Sequence, residues 1–147
     1  MKLVIQRVQK AKVTRVSDKK TLGEIGLGLF VLVGFKIGDS EKEVGVMADK
    51  LSKLRVMADR EEKMNLSVLD TKSQILVVSQ FTLYADTKGG NRPSFINAEE
   101  PDKARKLYEL FIEKLREKEI NVETGSFGDY MQIEAVMDGP VTIIFSD

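Results

Sequence analysis

The chain of 147 residues has the length of one domain, with the 42% hydrophobic and 31% charged residues typical of a folded globular protein. It contains no cysteine and no histidine, which excludes disulfides, thiolate nucleophiles, Ser-His-Asp triads and His/Cys zinc sites. The formal net charge of +0 argues against broad binding of nucleic acid, so any nucleic acid must bind through a local patch.

The sequence carries no signal for a membrane or for export. Its N-terminal residues alternate polar and apolar side chains, and residues 27–35, the longest apolar stretch, are too few to cross a bilayer. We therefore expect a soluble, cytoplasmic protein with no membrane association. No carboxylate cluster has the spacing of a calcium loop, so we also expect no metal and no cofactor.

The first half of the chain is predicted to hold strands and one helix. Three segments have the pattern of strands, namely residues 2–9, 11–16 and 29–35. The glycines between them, Gly23, Gly26 and Gly28, lack the spacing of a nucleotide-binding loop and predict a turn or bulge. Ser40 and Glu43 form a capping box, and apolar residues at helical spacing follow it.

The second half repeats this alternation. Residues 74–80 predict a strongly apolar strand, and residues 86–97 predict a long loop. Pro101 opens a second helix with a buried stripe. Two final strands, residues 130–137 and 141–146, are joined through Asp138-Gly139-Pro140 and predict an antiparallel hairpin.

The order of these elements predicts the fold class. Strands, helix, strands, helix and strands follow one another with no repeat and no linker. This order predicts a single domain over residues 1–147 of the α+β class. We expect an antiparallel, barrel-like sheet with two helices on its outside.

Three segments place polar or conformationally special residues where packing alone does not require them. They are Ser79-Gln80-Phe81-Thr82-Leu83 at a strand end, Asn91-Arg92-Pro93-Ser94-Phe95 in the long loop, and Asp138-Gly139-Pro140-Val141-Thr142 near the C-terminus. Taken singly they are ordinary, since polar residues often end strands, and Gly-Pro beside Asp is a common turn. A loop of this length is often functional, but length alone does not decide it.

Taken together, in this order and spacing, the three segments resemble the bacterial and eukaryotic D-aminoacyl-tRNA deacylase family, also called D-tyrosyl-tRNA(Tyr) deacylases. The similarity covers nearly the whole chain, with supporting matches at residues 4–8, 26–29, 63–67 and 124–128. Two positions depart from the family pattern. Met137 stands where the family usually has Asn, and Asp129 stands where it tends to have a small residue.

The resemblance implies a hydrolase that proofreads translation. It would bind the 3′ end of aminoacyl-tRNA as a homodimer and cleave the ester between a D-amino acid and the terminal adenosine, releasing free D-amino acid and tRNA. It would also cleave glycyl-tRNA, including glycine mischarged on tRNA-Ala, because glycine has no side chain to reject. The resemblance implies no cofactor.

For the site, the resemblance implies a catalytic wall of Ser79, Gln80, Phe81 and Thr82, with backbone N–H groups near Phe81 and Thr82 as donors to the scissile carbonyl. It further implies substrate-binding roles for Phe127 against the terminal adenine, Ala98 in the pocket, Gly139-Pro140 as a cis dipeptide inserted by a partner subunit, and Arg7 as its support. The dipeptide would reject L-amino acids by occupying the space of their side chains. The adenosine 2′-hydroxyl would assist the attacking water.

Other interpretations stay open. Thr82 could be the nucleophile of an acyl hydrolase, although without histidine only lysine, a carboxylate or the substrate could accept its proton. The chain could be a non-catalytic module that binds tRNA ends or chromatin. It could also edit a wrong L-amino acid, as does the related domain of some threonyl-tRNA synthetases.

Overall fold

The computed structural model describes residues 1–146. Over this range the elements are β1 (Lys2–Arg15), β2 (Thr21–Ile25), β3 (Gly28–Gly34), α1 (Glu41–Ser52), β4 (Met57–Ala58), β5 (Met64–Leu66), α2 (Val68–Thr71), β6 (Gln74–Ser79), a 3-10 helix (Phe81–Tyr84), α3 (Pro101–Arg116), β7 (Val122–Thr124) and β8 (Met131–Ser146). None of the helices in this range is long and apolar enough to cross a membrane.

The central sheet has six strands and is nearly closed. Its order is β2-β1-β3-β6-β7, with β8 paired along β1, while β4 and β5 form a small separate pair. The α+β class is confirmed, but the sheet is mixed, because β6 runs parallel to both β3 and β7. Parallel neighbours need long crossovers, and the chain crosses from β3 to β6 through α1 and from β6 to β7 through α3.

The predicted C-terminal hairpin is wrong. Residues 131–146 form one strand, β8, which runs antiparallel to β1 over most of its length. Two successive pairs of this ladder are Gln6–Thr142 and Val8–Met137. They lie two residues apart in β1 but five residues apart in β8, so β8 contains three extra residues at this point. The Asp-Gly-Pro segment that suggested a turn is therefore a bulge. The two predicted N-terminal strands likewise form one strand, β1.

Apolar residues fill both faces of the sheet. Odd-numbered residues of β3 and β6 point to the helices, and this cluster includes Leu29, Val31, Val33, Ile75, Val77, Leu51, Leu107 and Phe111. Even-numbered residues of the same strands point into the curled sheet, in a cluster with Val8, Val13, Ile25, Phe30, Leu76 and Val78. Strands buried on both faces are expected to be continuously apolar, as residues 29–33 and 75–78 are.

Local signals place the two long helices. The capping box of Ser40 and Glu43 is present at the start of α1. Pro101 occupies the first turn of α3, whose buried stripe includes Leu107, Phe111 and Leu115. The two helices pack against each other on the outer face of the sheet. Just before α1, the buried amino group of Met1 lies 2.7 Å from the carboxylate of Asp39, which ties the start of β1 to this layer.

Gly23 lets the two ends of the sheet approach each other. It lies in β2, and a Cβ atom there would come within 2.9 Å of the carbonyl oxygen of Thr124 in β7 and 3.1 Å of its nitrogen. Both atoms are backbone, so neither can rotate away. A glycine at this position therefore permits the near closure of the barrel.

We predict that Gly23→Ala lowers the free energy of unfolding by about 1–3 kcal/mol, because the added methyl group forces β2 away from β7. Urea unfolding followed by circular dichroism measures this change. Gly45→Ala is the matched control, since nothing lies within 4 Å of a Cβ in that position of α1. The free energy of unfolding of this control should rise by about 0.5–1 kcal/mol, because alanine is favoured over glycine within a helix. Equal stability of Gly23→Ala and the wild type would contradict the proposed closure.

Candidate active site

A cavity of about 350 Å³ opens where β3 and β6 end. The wall formed at these strand ends meets the start of α3 on one side and the segment that leads into β8 on the other. The lining residues are Val33, Gly34, Phe35, Val78, Ser79, Gln80, Phe81, Glu99, Ala104, Phe127, Gly128, Asp129, Tyr130, Met131 and Ile133. The cavity is thus mainly apolar, with polar groups concentrated on two sides, as is typical of a small-molecule site.

The wall at the end of β6 is fixed by backbone contacts. Ser79 pairs with Val33 in the last register position of β6, and the N–H of Gln80 donates to the carbonyl oxygen of Val33 at 2.7 Å. The chain then turns into the 3-10 helix. A Cβ atom at Gly34 would lie 2.8 Å from the carbonyl oxygen of Gln80, so glycine there allows the helix to fold against β3.

The first two N–H groups of this 3-10 helix, those of Phe81 and Thr82, have no partner within the helix. The helical hydrogen bonds begin with the N–H of Leu83, which donates to Gln80 at 3.3 Å. Gln80 precedes the helix and gives it no side-chain cap. Its amide nitrogen instead donates to the hydroxyl of Thr82. Two adjacent backbone donors therefore remain available, one on Phe81, which lines the cavity, and one on Thr82, which follows it.

Phe127 lies on the opposite side and is held by two neighbours. Its ring lies 5.8 Å from the ring of Tyr108, and the guanidinium of Arg105 lies 5.0 Å above it. The buried hydroxyl of Tyr108 donates to the carbonyl oxygen of Val77 at 2.9 Å. Burial raises the pKa of this phenol, so it stays protonated and keeps its hydrogen bond to Val77.

Two carboxylates, those of Glu99 and Asp129, line the cavity. The hydrogen bond from Lys103 lowers the pKa of Glu99, whose side chain is only 7% exposed. The hydrogen bond from Ser126 and then that from Arg15 lower the pKa of Asp129. Both groups are therefore ionised at neutral pH, and each is held in an ion pair, Glu99 with Lys103 and Asp129 with Arg15. Within residues 1–146, no group of three or more His, Cys, Asp or Glu could hold a metal ion.

The structure brings together most, but not all, of the predicted site residues. Ser79, Gln80, Phe81 and Phe127 line the cavity, and Thr82 follows directly in the exposed 3-10 helix. Ala98 lies beside Lys36 in an isolated bridge and does not line the cavity. The alanine that does line it is Ala104 in α3.

Gly139 and Pro140 lie on the bulge of β8, away from the cavity of their own chain. The peptide bond between them is cis, as the resemblance implied. Gly139 has a φ of +126°, which favours glycine. The bulge lies opposite Arg7, which pairs with Leu29, whereas the cavity lining on β3 begins at Val33. Four residues of strand separate them, or roughly 13 Å.

Arg7 anchors this bulge within the chain. Its side chain is 12% exposed, and its Nε lies 2.9 Å from a carboxylate oxygen of Asp138. Its Nη1 donates to the carbonyl oxygen of Val56 at 2.8 Å. Arg7 therefore does not face solvent but ties β1 to Asp138, the residue that precedes the dipeptide.

Several lining residues were not identified from the sequence, including Glu99, Ala104, Tyr130, Met131 and Ile133. Ala104 belongs to the apolar stripe of α3, and a stripe does not distinguish core from cavity lining. Glu99 stands in a charged segment that resembles any solvated loop. The position of Asp129 was noted only as a departure from the family pattern.

Comparison with known proteins identifies the family. The profile of the D-Tyr-tRNA(Tyr) deacylase family matches residues 4–146. The D-aminoacyl-tRNA deacylases of Thermotoga petrophila and Brevibacillus brevis are each 51% identical to the chain over 144 residues, which is 98% of this chain and 95% and 98% of theirs. A solved structure named c-Myc DNA unwinding element binding protein has a TM-score of 0.92 and 40% identity, and the match covers 100% of this chain and 99% of that one. A probable eukaryotic D-amino acid tRNA deacylase shares the fold, with a TM-score of 0.85, 17% identity and coverage of 98% and 97%. The chain therefore belongs to the D-Tyr-tRNA(Tyr) deacylase family.

Proposed function

We propose that the chain hydrolyses the ester between a D-amino acid and the 3′-terminal adenosine of tRNA. The observation that carries this proposal is the cavity of about 350 Å³ with Ser79, Gln80 and Phe81 in its wall. Its volume suits the aminoacylated end of a tRNA and not a larger portion. The reaction comes from relatives that are 51% identical and are named D-aminoacyl-tRNA deacylases.

The N–H groups of Phe81 and Thr82 stabilise the oxyanion in this proposal. Hydrolysis of an ester passes through a tetrahedral intermediate in which the carbonyl oxygen becomes negative. Preoriented backbone donors stabilise that charge without reorganisation. An aminoacyl ester is already labile, so positioning together with this stabilisation supplies most of the catalysis.

Water is the nucleophile, and the Thr82 side chain is not. Gln80 donates its amide hydrogen to the Thr82 hydroxyl, and a neutral amide donor cannot accept a proton. The sequence offers no histidine that could act as a base. The 2′-hydroxyl of the terminal adenosine lies next to the ester and orients the attacking water.

A homodimer completes the site. Gly139 and Pro140 do not line the cavity of their own chain, so they act on the cavity of a second copy. Strand β8 supports such an assembly, since β1 is its only ladder partner within residues 1–146. It also exposes Ile133, Val136, Met137 and Ile144. A long exposed edge strand of this kind is usually covered.

The partner's dipeptide would act as the chiral filter. D- and L-aminoacyl esters carry the same groups, so attraction to the side chain discriminates poorly between them. A rigid wall placed where the L side chain must lie excludes it by a clash. Glycine lets the backbone approach closely, and the proline ring fixes φ. The same wall cannot reject glycine, which has no side chain.

We predict hydrolysis of D-tyrosyl-tRNA and glycyl-tRNA by the purified chain, with L-tyrosyl-tRNA cleaved at least roughly 100-fold more slowly, as a clash of about 3 kcal/mol would require. Release of labelled amino acid from the three matched substrates measures this. Comparable rates for D- and L-tyrosyl-tRNA would contradict the filter. Binding of DNA or tRNA with no hydrolysis would favour the non-catalytic alternative.

We predict that Phe81→Pro lowers kcat by about 10²–10³, because it removes one oxyanion donor. Proline is tolerated in the first helical position, so the backbone should keep its shape. Phe81→Ala is the matched control, which loses the ring but keeps the N–H. Thr82→Ala should retain most activity. Trapping of an acyl group on Thr82 would contradict the proposed role of water.

We predict a dimer of twice the 16.5 kDa chain mass by light scattering. Phe81→Pro and Gly139→Val should each be nearly inactive alone, the second because its side chain is strained at φ +126° and enters the partner's site. Mixing them after unfolding should restore activity. Heterodimers then contain one site with both parts intact, about a quarter of all sites in a random mixture. Sites built within one chain would leave the mixture inactive.

A further inference from the structure

The loop that contains Asn91-Arg92-Pro93-Ser94-Phe95 is attached to the wall of the cavity, yet the reaction described above gives it no role. Asp86 and Ser94 exchange two backbone hydrogen bonds of 2.8 Å, which close residues 86–94 into a loop with a fixed base. The ring of Phe95 stands edge-on to the ring of Phe81, with centroids 5.0 Å apart and planes at 70°. The loop therefore begins directly beside the catalytic wall.

The tip of this loop carries two cations, Lys88 and Arg92, and both are exposed. Within residues 1–146 neither side chain has a hydrogen bond or an ion pair. The carboxylate of Asp86 accepts a bond from the backbone N–H of Lys88 at 2.9 Å and so serves the turn. The space around the tip is open, since nothing lies within 4 Å of a Cβ at Gly89 or Gly90.

Among the other cations close to the cavity, Arg105 stands over the ring of Phe127, and Lys103 and Arg15 are held in ion pairs. Lys103 lies 2.7 Å from the carboxylate of Glu99, and Arg15 pairs with Asp18 and Asp129. The chain as a whole has a net charge of +0. The tip of the loop is thus a local positive patch beside the site, which is the form of nucleic-acid contact that a neutral chain allows.

We infer that Lys88 and Arg92 bind phosphates of the single-stranded 3′ end of the substrate tRNA. The inference rests on the proposed function, because it takes the terminal ester to lie at the Phe81 wall. The preceding nucleotides then lie outside the cavity, and the loop, whose Phe95 contacts Phe81 of the wall, is close enough to meet them. Arginine and lysine both bind phosphate oxygens strongly, and exposed unpaired side chains lose no existing ion pair on binding.

The first test measures binding of an unacylated single-stranded RNA that ends in the tRNA 3′ sequence, over a range of salt concentrations. Binding should weaken as salt rises, and each lost phosphate contact should reduce the magnitude of the log–log slope by about 0.7. In the double variant of Lys88→Gln and Arg92→Gln, the magnitude of the log–log slope should therefore fall by about 1.4. Arg92→Lys should keep the wild-type slope, because it keeps the charge.

The second test compares two D-tyrosyl esters, one of full-length tRNA and one of adenosine, which has no phosphate. The double variant should lower kcat/KM several-fold for the tRNA and leave it unchanged for the adenosine ester. Arg60→Gln is the matched control, because Arg60 is another exposed cation in a loop that does not line the cavity. It should change neither value.

These measurements separate the inference from the proposed function. An unchanged salt slope in the double variant would overturn the phosphate contacts, whatever the enzyme cleaves. An equal loss on both esters would also overturn them, because it would show that the loop only supports the Phe81 wall. Failure of the wild type to cleave D-tyrosyl-tRNA would refute the proposed function, and the RNA-binding slope would still test the loop.

Discussion

The hydrogen bond from the N–H of Gln80 to the carbonyl oxygen of Val33, at 2.7 Å, fixes the point at which β6 ends and the 3-10 helix begins. The other features of the site depend on this junction. It directs the N–H groups of Phe81 and Thr82 away from the strand ladder, and Gly34 allows the turn to lie close to β3. A chain without histidine or cysteine lacks the two side chains whose ordinary pKa lies nearest to neutral pH. In the proposed mechanism, backbone donors placed by this junction would supply electrostatic stabilisation instead.

Local sequence signals predicted the elements whose pattern is complete within a few residues. The capping box at Ser40 and the stripe of α3 depend only on helical spacing, and the apolar runs of β3 and β6 depend on burial of both faces. The direction of strand pairing depends on residues far apart, so the parallel β3–β6 pair was not predicted. The predicted C-terminal hairpin was wrong for the same reason. Asp138-Gly139-Pro140 suits a turn and a bulge equally, and β1 decides between them because it is long enough to pair with both halves of β8.

The site was predicted only where its residues stand together in the sequence. Ser79, Gln80 and Phe81 form one run, and the family resemblance located them together with Phe127. Ala104 and Met131 reach the same cavity from a helix and from the start of a different strand. In the sequence they resemble ordinary core residues, since only the tertiary fold brings the first turn of α3 and the start of β8 to the end of β6.

The net charge of +0 describes this chain poorly, because its charges are separated in space. Glu99 and Asp129 are ionised in the cavity but are paired with Lys103 and Arg15, while Lys88 and Arg92, which have no partner within residues 1–146, extend from a loop anchored at its wall. The proposed substrate, the end of an aminoacyl-tRNA, carries its phosphates on the nucleotides that precede the ester. A uniformly basic surface would attract these phosphates equally in every orientation. With the charges of the cavity already paired and these two cations on the loop, the same neutral total would favour the orientation in which the phosphates meet the loop and the ester meets the Phe81 wall.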